Sequence, residues 1–483
     1  MSIITQILNY ETKNIIINNI ISDFKKSLFD LLNNLFTNNY SYVSLILNFQ
    51  EFMNKQIINM IKNVIQIIDE QFKYSEERRK KYNISKSDVE RTIVTPFGEI
   101  QFSRTFYKNK LNGKYYFYID DVLNIESNKT YDPVVRAILV HQSVVTNPNS
   151  TCFNSSLNTL NLSNWLKNKV NMIPRQTIYR IKKEVKIRKV KYKKISVDKT
   201  LYVMADEKWI HEQDKNNPNV KKWIMSKCFV TFTGIKRKGK RSKLIGKHTF
   251  ITSSSTPWKD LMDEIYLIYD FTKIETINLL SDAGSWILSG KDELRLYSNI
   301  KVVVNTCEFH VKLKISRSTT DKELRIKIAN IIYENEDKEE FIKEMDKLIE
   351  EKKTEERKQK VTEYKNYILN HWIGIINMKY SMCKSSMEAH IQHCIASSFS
   401  EVPKAYSRST IQINLKLQEM YLNGIDIIEY YLKTYNSEDD YIYNNDDEKK
   451  VNFSLFEKST SNIPVASSNN PVSLVLHNIA NYA

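Results

Sequence analysis

The sequence predicts an α/β fold in which a mixed sheet carries helices and follows a largely helical N-terminal region. Between positions 201 and 306, short apolar runs rich in β-branched residues alternate with segments of helical spacing. Strands followed by strand–helix units indicate a mixed sheet. Hydrophobic residues make up 41% of the 483 residues, which is enough for well-packed cores, and this length predicts about two to four folded units.

The elements of this α/β region can be placed from the apolar runs. The expected strands are Leu201–Ala205, Trp223–Thr233, Leu244–Thr252, Ile274–Leu280 and Lys301–Thr306, and the expected helices are Pro257–Phe271 and Gly284–Leu294. Phe341, Met345 and Leu348 follow helical spacing amid dense mixed charge. They predict an amphipathic helical pair inserted at 320–365, after which a helix returns at 384–399.

The regions on either side differ in character. Residues 1–90 have helical periodicity, whereas Thr92–Tyr107 has β-branched and aromatic residues around a Pro96-Phe97-Gly98 turn and predicts a hairpin. The predicted organisation is an N-terminal helical region (1–90), a β-hairpin element (91–132), a helical, helix-turn-helix-like DNA-binding region (133–198), the first part of the α/β core (199–319), a helical insertion (320–367), the second part of the core (368–435) and an acidic, then Ser/Asn-rich flexible tail (436–483).

The charge balance points to a polyanionic partner. The 72 Lys and Arg residues outnumber 56 Asp and Glu, for a net charge of +16, which favours nucleic acid or an anionic membrane. AT-rich coding sequence also produces such compositions. No apolar run reaches the ~20 residues of a membrane helix, and five cysteines without a CxxC pair suit a reducing cytoplasm. We therefore expect a cytoplasmic protein with no membrane contact.

Two basic segments are candidate DNA contacts. Pro174 stands where a short helix would begin, and the start of such a helix can present side chains to base edges. A basic hairpin loop before the third strand would suit a phosphate backbone. The ordinary alternatives are a solvated linker helix and a solvated turn. The candidates are Arg175, Gln176, Arg180, Lys182 and Lys183 in the first segment, and Lys236, Arg237, Lys238, Lys240 and Arg241 in the second.

Three carboxylates stand out by their context. Asp206 ends the run LYVMAD and Asp282 ends the run INLLSD, and strand ends are where catalytic groups gather in α/β sheets. Glu388 is the only acid between Lys379 and Ser400 and shares a helical face with Ile395, so we expect it to point inward. Carboxylates are the hard oxygen ligands that Mg²⁺ prefers. Helix caps, turns or a buried hydrogen bond are the alternatives.

Other chemistries have less support in the sequence. The nine glycines form neither GxxxxGK(S/T), since Arg241 follows the run Gly234–Lys240, nor GxGxxG, and GxSxG and HExxH are also absent. A structural zinc site is a further alternative, although the spacing matches no common zinc pattern. Its candidate ligands are Cys383, His390, His393 and Cys394, with Cys307 and His310 upstream.

At these same positions the chain resembles the transposases of the ISLre insertion-sequence type, which are similar to the Mutator-like DDE transposases. LYVMADEKWI resembles the strand that bears the first Asp of that family, and INLLSDAGSWI the strand that bears the second. VNTCEFHVKLKI fits the family's (Cys/Asp)-x-x-His strand end, YILNHWIGI precedes the last acid, and SSMEAHIQHCIASSFSEVPKAYS resembles the helix with the catalytic Glu. Ser281 and Ala283 stand where the family usually has glycines.

The resemblance implies an RNase H-like catalytic core with a helical insertion, in which Asp206, Asp282 and Glu388 are catalytic and hold two Mg²⁺ (or Mn²⁺) ions. It places Cys307 and His310 near that site. The implied activity is metal-dependent cleavage of double-stranded DNA at element ends and transfer to target DNA. A homodimer or larger assembly on DNA in the bacterial cytoplasm, associated with the nucleoid, is expected. The alternatives are an inactive or domesticated DNA-binding protein of the same family and a structure-specific nuclease.

Overall fold

The structure is a computed structural model. It describes residues 10–37, 41–145, 173–213, 222–238, 241–297, 300–381, 395, 399, 405–435 and 439–443. Contacts along the chain group Met1–Tyr441 into one unit and Ile442–Ala483 into another. None of the described helices is both long and apolar enough to cross a membrane.

The N-terminal part combines long helices with a small antiparallel sheet. Its elements are α1 (Tyr10–Thr37), α2 (Tyr42–Tyr74), α3 (Glu76–Lys81), β1 (Tyr82–Thr95), β2 (Gly98–Asn109), β3 (Tyr115–Phe117) and α4 (Tyr118–Val122). The strands are arranged β1-β2-β3. Ile65, Ile68 and Phe72 of α2 pack against Phe102 and Tyr107 of β2, so the helix and the sheet share one core.

The predicted hairpin at 92–107 is confirmed, but its first strand is longer than predicted. β1 begins at Tyr82 rather than at Thr92, inside the stretch assigned to helices. Its pairing with β2 slips between Ile84 and Val89, and such irregularities hide the two-residue alternation that identifies a strand. Tyr82 anchors the start of the strand through contacts with Phe72 and Tyr116.

A helical segment leads into the main sheet. It contains α5 (Pro133–Val145), α6 (Arg175–Lys183) and the short strand β4 (Val190–Tyr192). α6 begins directly after Pro174, as predicted, because proline is tolerated at a helix start but not inside it. Ile178, Ile181 and Val185 are buried.

The main sheet is mixed, as predicted. Its strands are β5 (Thr200–Glu212), β6 (Lys222–Phe232), β9 (His248–Thr252), β10 (Thr276–Ser281) and β11 (Lys301–Thr306), in the order β9-β6-β5-β10-β11, with β12 (Ala405–Tyr406) also paired to β5. β6 is antiparallel to β5 and β9, whereas β10 is parallel to β5 and β11.

The predicted third strand is divided in two. β7 (Gly234–Lys238) and β8 (Arg241–Ile245) form a separate two-stranded sheet, and β9 starts only at His248. Gly246 lies between β8 and β9 and has φ +58°. This left-handed conformation interrupts an extended strand, and glycine adopts it at low cost.

The helices that follow β9 along the chain are α7 (Pro257–Ile268), α8 (Ser285–Tyr297), α9 (Glu308–Ser318), α10 (Lys322–Asn330), α11 (Lys338–Glu350), α12 (Glu355–Asn370), α13 (Trp372–Tyr380), α14 (Arg408–Leu422) and α15 (Ile427–Tyr435), and β13 (Tyr441–Tyr443) comes last. α7 and α8 pack on one face of the main sheet, and α13 and α14 pack on the other. The predicted helical pair at 320–365 is instead three helices, α10 to α12, with a π-helical turn at Ile331–Asn335 between α10 and α11. They share a core with α9 and α13.

The two faces of the sheet have separate cores. Leu201, Val203 and Ala205 of β5 face Trp258, Leu261 and other residues of α7 and α8. Tyr202 and Met204 face the opposite side, together with Leu280, Met378, Ile395 and Leu415. Because side chains alternate along a strand, Asp206 projects to the same side as Met204.

Candidate active site

The two predicted aspartates lie on adjacent parallel strands. Leu280 of β10 pairs with Met204 of β5, and Asp282 and Asp206 each come two residues after that pair. Parallel neighbours in a sheet are about 4.8 Å apart, so the shared register brings the two acids side by side. The charge of Asp282 accordingly acts on the carboxyl of Asp206.

Asp206 does not end its strand, contrary to the prediction. β5 continues to Glu212 because β6 keeps pairing with it, from Asp206 opposite Cys228 to Glu212 opposite Lys222. Only the parallel ladder with β10 stops, at Met204. The change from apolar to polar residues at Asp206 therefore marks the end of the parallel ladder between β5 and β10 and the start of a partly buried β-ribbon.

The Asp206 carboxyl is in an environment that disfavours its charge. Burial raises its pKa to about 6, and the charges of Asp282 and Glu207 act in the same direction. The backbone N–H of Glu207 donates to Asp206 Oδ1 at 2.7 Å and, with His310, partly opposes the rise. Two partly buried carboxylates that repel each other form a donor set suited to a divalent cation.

A tight turn fixes Asp282. Its Oδ1 accepts a hydrogen bond from the Gly284 N–H at 2.9 Å, and Ser281 Oγ accepts one from the Ala283 N–H at 3.0 Å. Ala283 has φ +68°, which costs a residue with a Cβ about 1–2 kcal/mol. Glycine would adopt this conformation at lower cost.

Two residues at the C-terminal end of α12, Tyr367 and the cap residue His371, lie next to this turn. The Tyr367 hydroxyl donates to the Asp282 carbonyl oxygen at 2.7 Å, and the His371 ring packs edge-on against Tyr367 with 4.8 Å between centroids. Burial lowers the pKa of His371, while the charge of Asp282 acts in the opposite direction. The sequence did not reveal these two residues as part of the site; the only signal was their place in the YILNHWIGI motif.

Glu207 points away from the Asp206 carboxylate. Because it follows Asp206 on the strand, it projects to the other face, where Trp286 Nε1 donates to its carboxylate. Trp286 belongs to α8 and contacts Phe229 and Trp258. This contact ties β5, at the position of Asp206, to the helix that follows Asp282.

Cys307 and His310 come directly after β11, the strand that pairs with β10. Cys307 precedes α9, and its backbone N–H donates to the Ser281 carbonyl oxygen at 2.7 Å, one residue before Asp282. Burial raises the pKa of the Cys307 thiol, but hydrogen bonds from His310 and from the backbone N–H groups of His310 and Phe309 outweigh it and lower the pKa below its usual value. The pair therefore adjoins the aspartates.

The third predicted acid, Glu388, lies outside the described residues, as do Cys383, His390, His393 and Cys394. In the part of the chain that the structure describes, no three His, Cys, Asp or Glu side chains are grouped to hold a metal ion. A complete metal site would need Glu388 or another donor from the remaining segments, so the triad stays a prediction.

The predicted DNA contacts are mostly at the surface. Arg175, Gln176, Arg180 and Lys183 are exposed on α6, and Lys236 and Arg237 are exposed on β7. The side chains of Lys238 and Arg241, and the whole of Lys240, fall outside the described part.

Lys182 is the exception, because its side chain is only 4% exposed and its ammonium donates to the Ser143 carbonyl oxygen at 3.1 Å. The prediction that Lys182 contacts DNA is therefore wrong, because its ammonium is buried. The helical face that carries Ile178 and Ile181 turns Lys182 inward as well.

Replacing Lys182 with Met is expected to raise the free energy of unfolding at pH 6.5 by roughly 1–3 kcal/mol. Burial lowers the Lys182 pKa to about 7, against about 10.4 in an unfolded chain. Between these values the unfolded state binds more protons, so this group's contribution to stability rises with pH from about 7 to 10. Urea unfolding at pH 6.5 and 9 measures both effects.

The exposed neighbour provides the matched control: Lys183→Met should change neither the stability nor its pH dependence appreciably. If Lys182→Met lowered the free energy of unfolding, or left its pH dependence unchanged, burial of the Lys182 ammonium would not destabilise the protein as predicted.

Comparison with known proteins identifies the family. The profile of the uncharacterised protein family UPF0236 matches residues 35–434. The UPF0236 proteins TTE0610/TTE0881/TTE1053/TTE2432 and TTE1650/TTE2708 of Caldanaerobacter subterraneus subsp. tengcongensis are both 26% identical over 84% of this chain, covering 83% and 79% of their own lengths. A third relative from that organism, named by TTE0033/TTE0744/TTE0838/TTE0852/TTE1082/TTE1247/TTE1519/TTE1678/TTE1739/TTE1823/TTE2212, is also 26% identical over 84% of the chain and 83% of its own length. The chain belongs to the uncharacterised protein family UPF0236.

Proposed function

We propose that this protein is a DDE transposase with an RNase H-like core, which cleaves double-stranded DNA at the ends of an insertion sequence and joins them to target DNA. The strand arrangement supports the fold. Numbered along the chain, the five main strands lie in the order 3-2-1-4-5, and only the second is antiparallel to the others. The RNase H-like fold has this order and these directions.

The observation that carries the proposal is the position of Asp206 and Asp282. They are 76 positions apart in sequence, yet the register of β5 and β10 makes them neighbours. A turn and a buried strand hold them in place, and the charge of Asp282 raises the pKa of Asp206. A bound cation would offset this repulsion between the two carboxylates.

Ile395 supports the assignment of Glu388 as the third acid. Ile395 is fully buried in the same core as Met204 and Leu280, each of which precedes one of the two aspartates by two residues. Glu388 comes seven residues before Ile395, which is two turns of the helix predicted at 384–399. A helix through these positions would present Glu388 on the face that Ile395 directs towards the sheet.

The donor set fits Mg²⁺ or Mn²⁺, with Asp206, Asp282 and Glu388 as the residues that would hold two ions. When bound, such ions supply an activated oxygen nucleophile and stabilise the leaving oxygen of a phosphodiester. The chain's own contribution is orientation. The Glu207 N–H and the Gly284 N–H each fix one carboxylate, and Tyr367 holds the backbone of Asp282.

The charge and the names of the relatives agree with a mobile-element enzyme. A net charge of +16 suits a protein that holds DNA. The name of one relative joins eleven designations from a single organism, as expected of a gene present in several copies. The proposed partners are element ends, target DNA and at least a second copy of this chain, in the bacterial cytoplasm.

The test is a strand-transfer assay on DNA that carries the ends flanking the reading frame. With Mg²⁺, the wild type should produce nicked ends and joined products, and Asp282→Asn should produce neither. The exposed Asp292→Asn on α8 is the matched control and should remain active. Equal activity of Asp282→Asn and wild type would remove the assignment.

The products also separate the alternatives. Cleavage without any joined product would identify a structure-specific nuclease. DNA binding that is unchanged by Mg²⁺, with no cleavage, would identify a non-catalytic DNA-binding protein.

A further inference from the structure

A further basic surface lies in the N-terminal part, far in sequence from the two predicted DNA-binding segments. It consists of α3 and the turn Lys108–Lys114 between β2 and β3, and we name it the basic corner. α3 contains four basic and two acidic residues, and the turn contains three basic residues and no acid. Arg79, Lys80, Lys81, Lys108, Lys110 and Lys114 are all exposed.

Backbone contacts bring the two segments together. The Lys110 N–H donates to the Lys81 carbonyl oxygen at 2.9 Å, and the Lys110 ammonium donates to the Arg79 carbonyl oxygen. Tyr82, directly after α3, pairs with Asn109 in the sheet. The positive charges are therefore held on one surface rather than distributed along two independent loops.

The turn itself is well ordered by hydrogen bonds. Asn109 Oδ1 accepts from the Leu111 N–H at 2.8 Å, Asn112 Oδ1 accepts from the Lys114 N–H at 2.9 Å, and the Gly113 N–H donates to the Asn109 carbonyl oxygen at 3.0 Å. Gly113 has φ +68°, which this tight turn requires. A preorganised turn loses less entropy when it binds.

The aromatic core below makes the surface rigid. Phe72 stacks on Tyr118 with 3.6 Å between ring centroids and meets Tyr107 edge-on at 5.2 Å. Tyr107, two residues before Asn109, is fully buried. The basic corner is thus attached to a buried aromatic core.

Leu111 protrudes from the tip of the turn. It is 92% exposed, and Tyr115 next to the turn is 52% exposed, with the Lys108 ammonium 5.4 Å from the Tyr115 ring centroid. A single apolar side chain at the tip of a rigid basic turn has the form of a residue that packs against the sugars or base edges of a groove. It offers too little apolar area to anchor a membrane.

We propose that the basic corner is a phosphate-backbone contact for duplex DNA, with Leu111 seated in a groove. The inference rests on the proposed function for the identity of the polyanion, but it does not depend on catalysis. It adds a contact surface in the N-terminal part to those predicted on α6 and on the β7–β8 hairpin.

The test measures binding of the full-length protein to a fluorescein-labelled duplex of random sequence, with EDTA present so that cleavage plays no part. Replacing Lys108, Lys110 and Lys114 together with Gln should weaken binding at least about 30-fold at 0.1 M salt and reduce the slope of log K against log salt by roughly 2–3. Leu111→Ser should weaken binding without changing that slope.

The control replaces three exposed lysines of other elements, Lys259, Lys301 and Lys353, with Gln. It makes the same change in net charge and should leave the slope within about one unit of wild type. Thermal unfolding followed by circular dichroism verifies that each variant folds.

If the Lys108/Lys110/Lys114 variant bound duplex like the control, the inference would be overturned even where strand transfer succeeds. Absence of duplex binding by the wild type at low salt would overturn it too. Binding of the wild type to phosphatidylserine vesicles, lost in this variant while duplex binding is kept, would assign the surface to a membrane instead. If the Lys108/Lys110/Lys114 variant lost duplex binding while neither the wild type nor any variant gave strand transfer, the inference would be supported and the transposase proposal refuted.

Discussion

Asp206→Asn is expected to reduce the rate of DNA strand cleavage at least about 1,000-fold. A metal-held carboxylate contributes several kcal/mol of transition-state stabilisation, and about 4 kcal/mol corresponds to a factor of 1,000. Asparagine keeps an oxygen that can accept the Glu207 N–H, so the strand geometry should survive. Burial and Asp282 raise the pKa of Asp206, which means that the neutral amide should leave the melting temperature unchanged or raise it.

The double variant gives the sharper result. Residues that hold the same ions act as one unit, so Asp206→Asn with Asp282→Asn should be no less active than either single variant. Asp292→Asn, whose side chain is 81% exposed on α8, serves as the control and should retain wild-type activity. A rate for Asp206→Asn within tenfold of wild type, or fully multiplicative losses in the double variant, would contradict a shared metal site.

Gly290→Ala is expected to lower the free energy of unfolding by roughly 2–3 kcal/mol. A Cβ at this position would lie 2.2 Å from two carbon atoms of the Trp258 ring. Trp258 is 1% exposed, and its Nε1 donates to the Trp286 carbonyl oxygen at 3.0 Å, so the ring cannot move aside freely. The cost of overpacking should exceed the gain of about 1 kcal/mol that alanine brings to a helix. Urea unfolding measures the difference.

The matched background is Trp258→Leu, which removes the ring that alanine would meet. There Gly290→Ala should cost less than about 1 kcal/mol or become stabilising, and the difference between the two backgrounds is the coupling energy. An equal cost in both backgrounds would show that the close contact is not the cause.

The core strands could be predicted because they are buried on both faces. β10 and β11 appear in the sequence as short continuous apolar runs, which is typical of parallel strands between layers of helices. Lys301–Thr306 was predicted with the bounds that the structure has. The sequence placed Asp206 and Asp282 at the ends of two apolar runs, but the pairing of those two strands could not be predicted from it, and only the family resemblance implied that the two acids share a site.

Strands that are only partly buried were harder to predict. The second half of β5, Asp206–Glu212, and the first part of β1 carry charged residues and are held by cross-strand pairing rather than by a continuous core. Hydrogen bonds to the partner strand stabilise both segments, and a short window of sequence does not reveal which strands will pair.

The residues that hold the two aspartates in place could not be predicted from local sequence either. Tyr367 reaches Asp282 across 85 positions, and the helices α10 to α12 between them have a core of their own. Neither the spacing of Tyr367 nor that of His371 identified them. Lys182 illustrates the converse, since a run of basic residues in a short helix does not reveal which of its side chains turns inward.

Mn²⁺ binding followed by electron paramagnetic resonance tests most directly whether three distant acids share one metal site. Wild type and the Asp292→Asn control should bind the ions tightly, whereas Asp206→Asn, Asp282→Asn and Glu388→Gln should each lose most of that binding while remaining folded. Retention of wild-type Mn²⁺ binding by the Asp206 or Asp282 variant would contradict the site, and retention by the Glu388 variant alone would remove Glu388 from it.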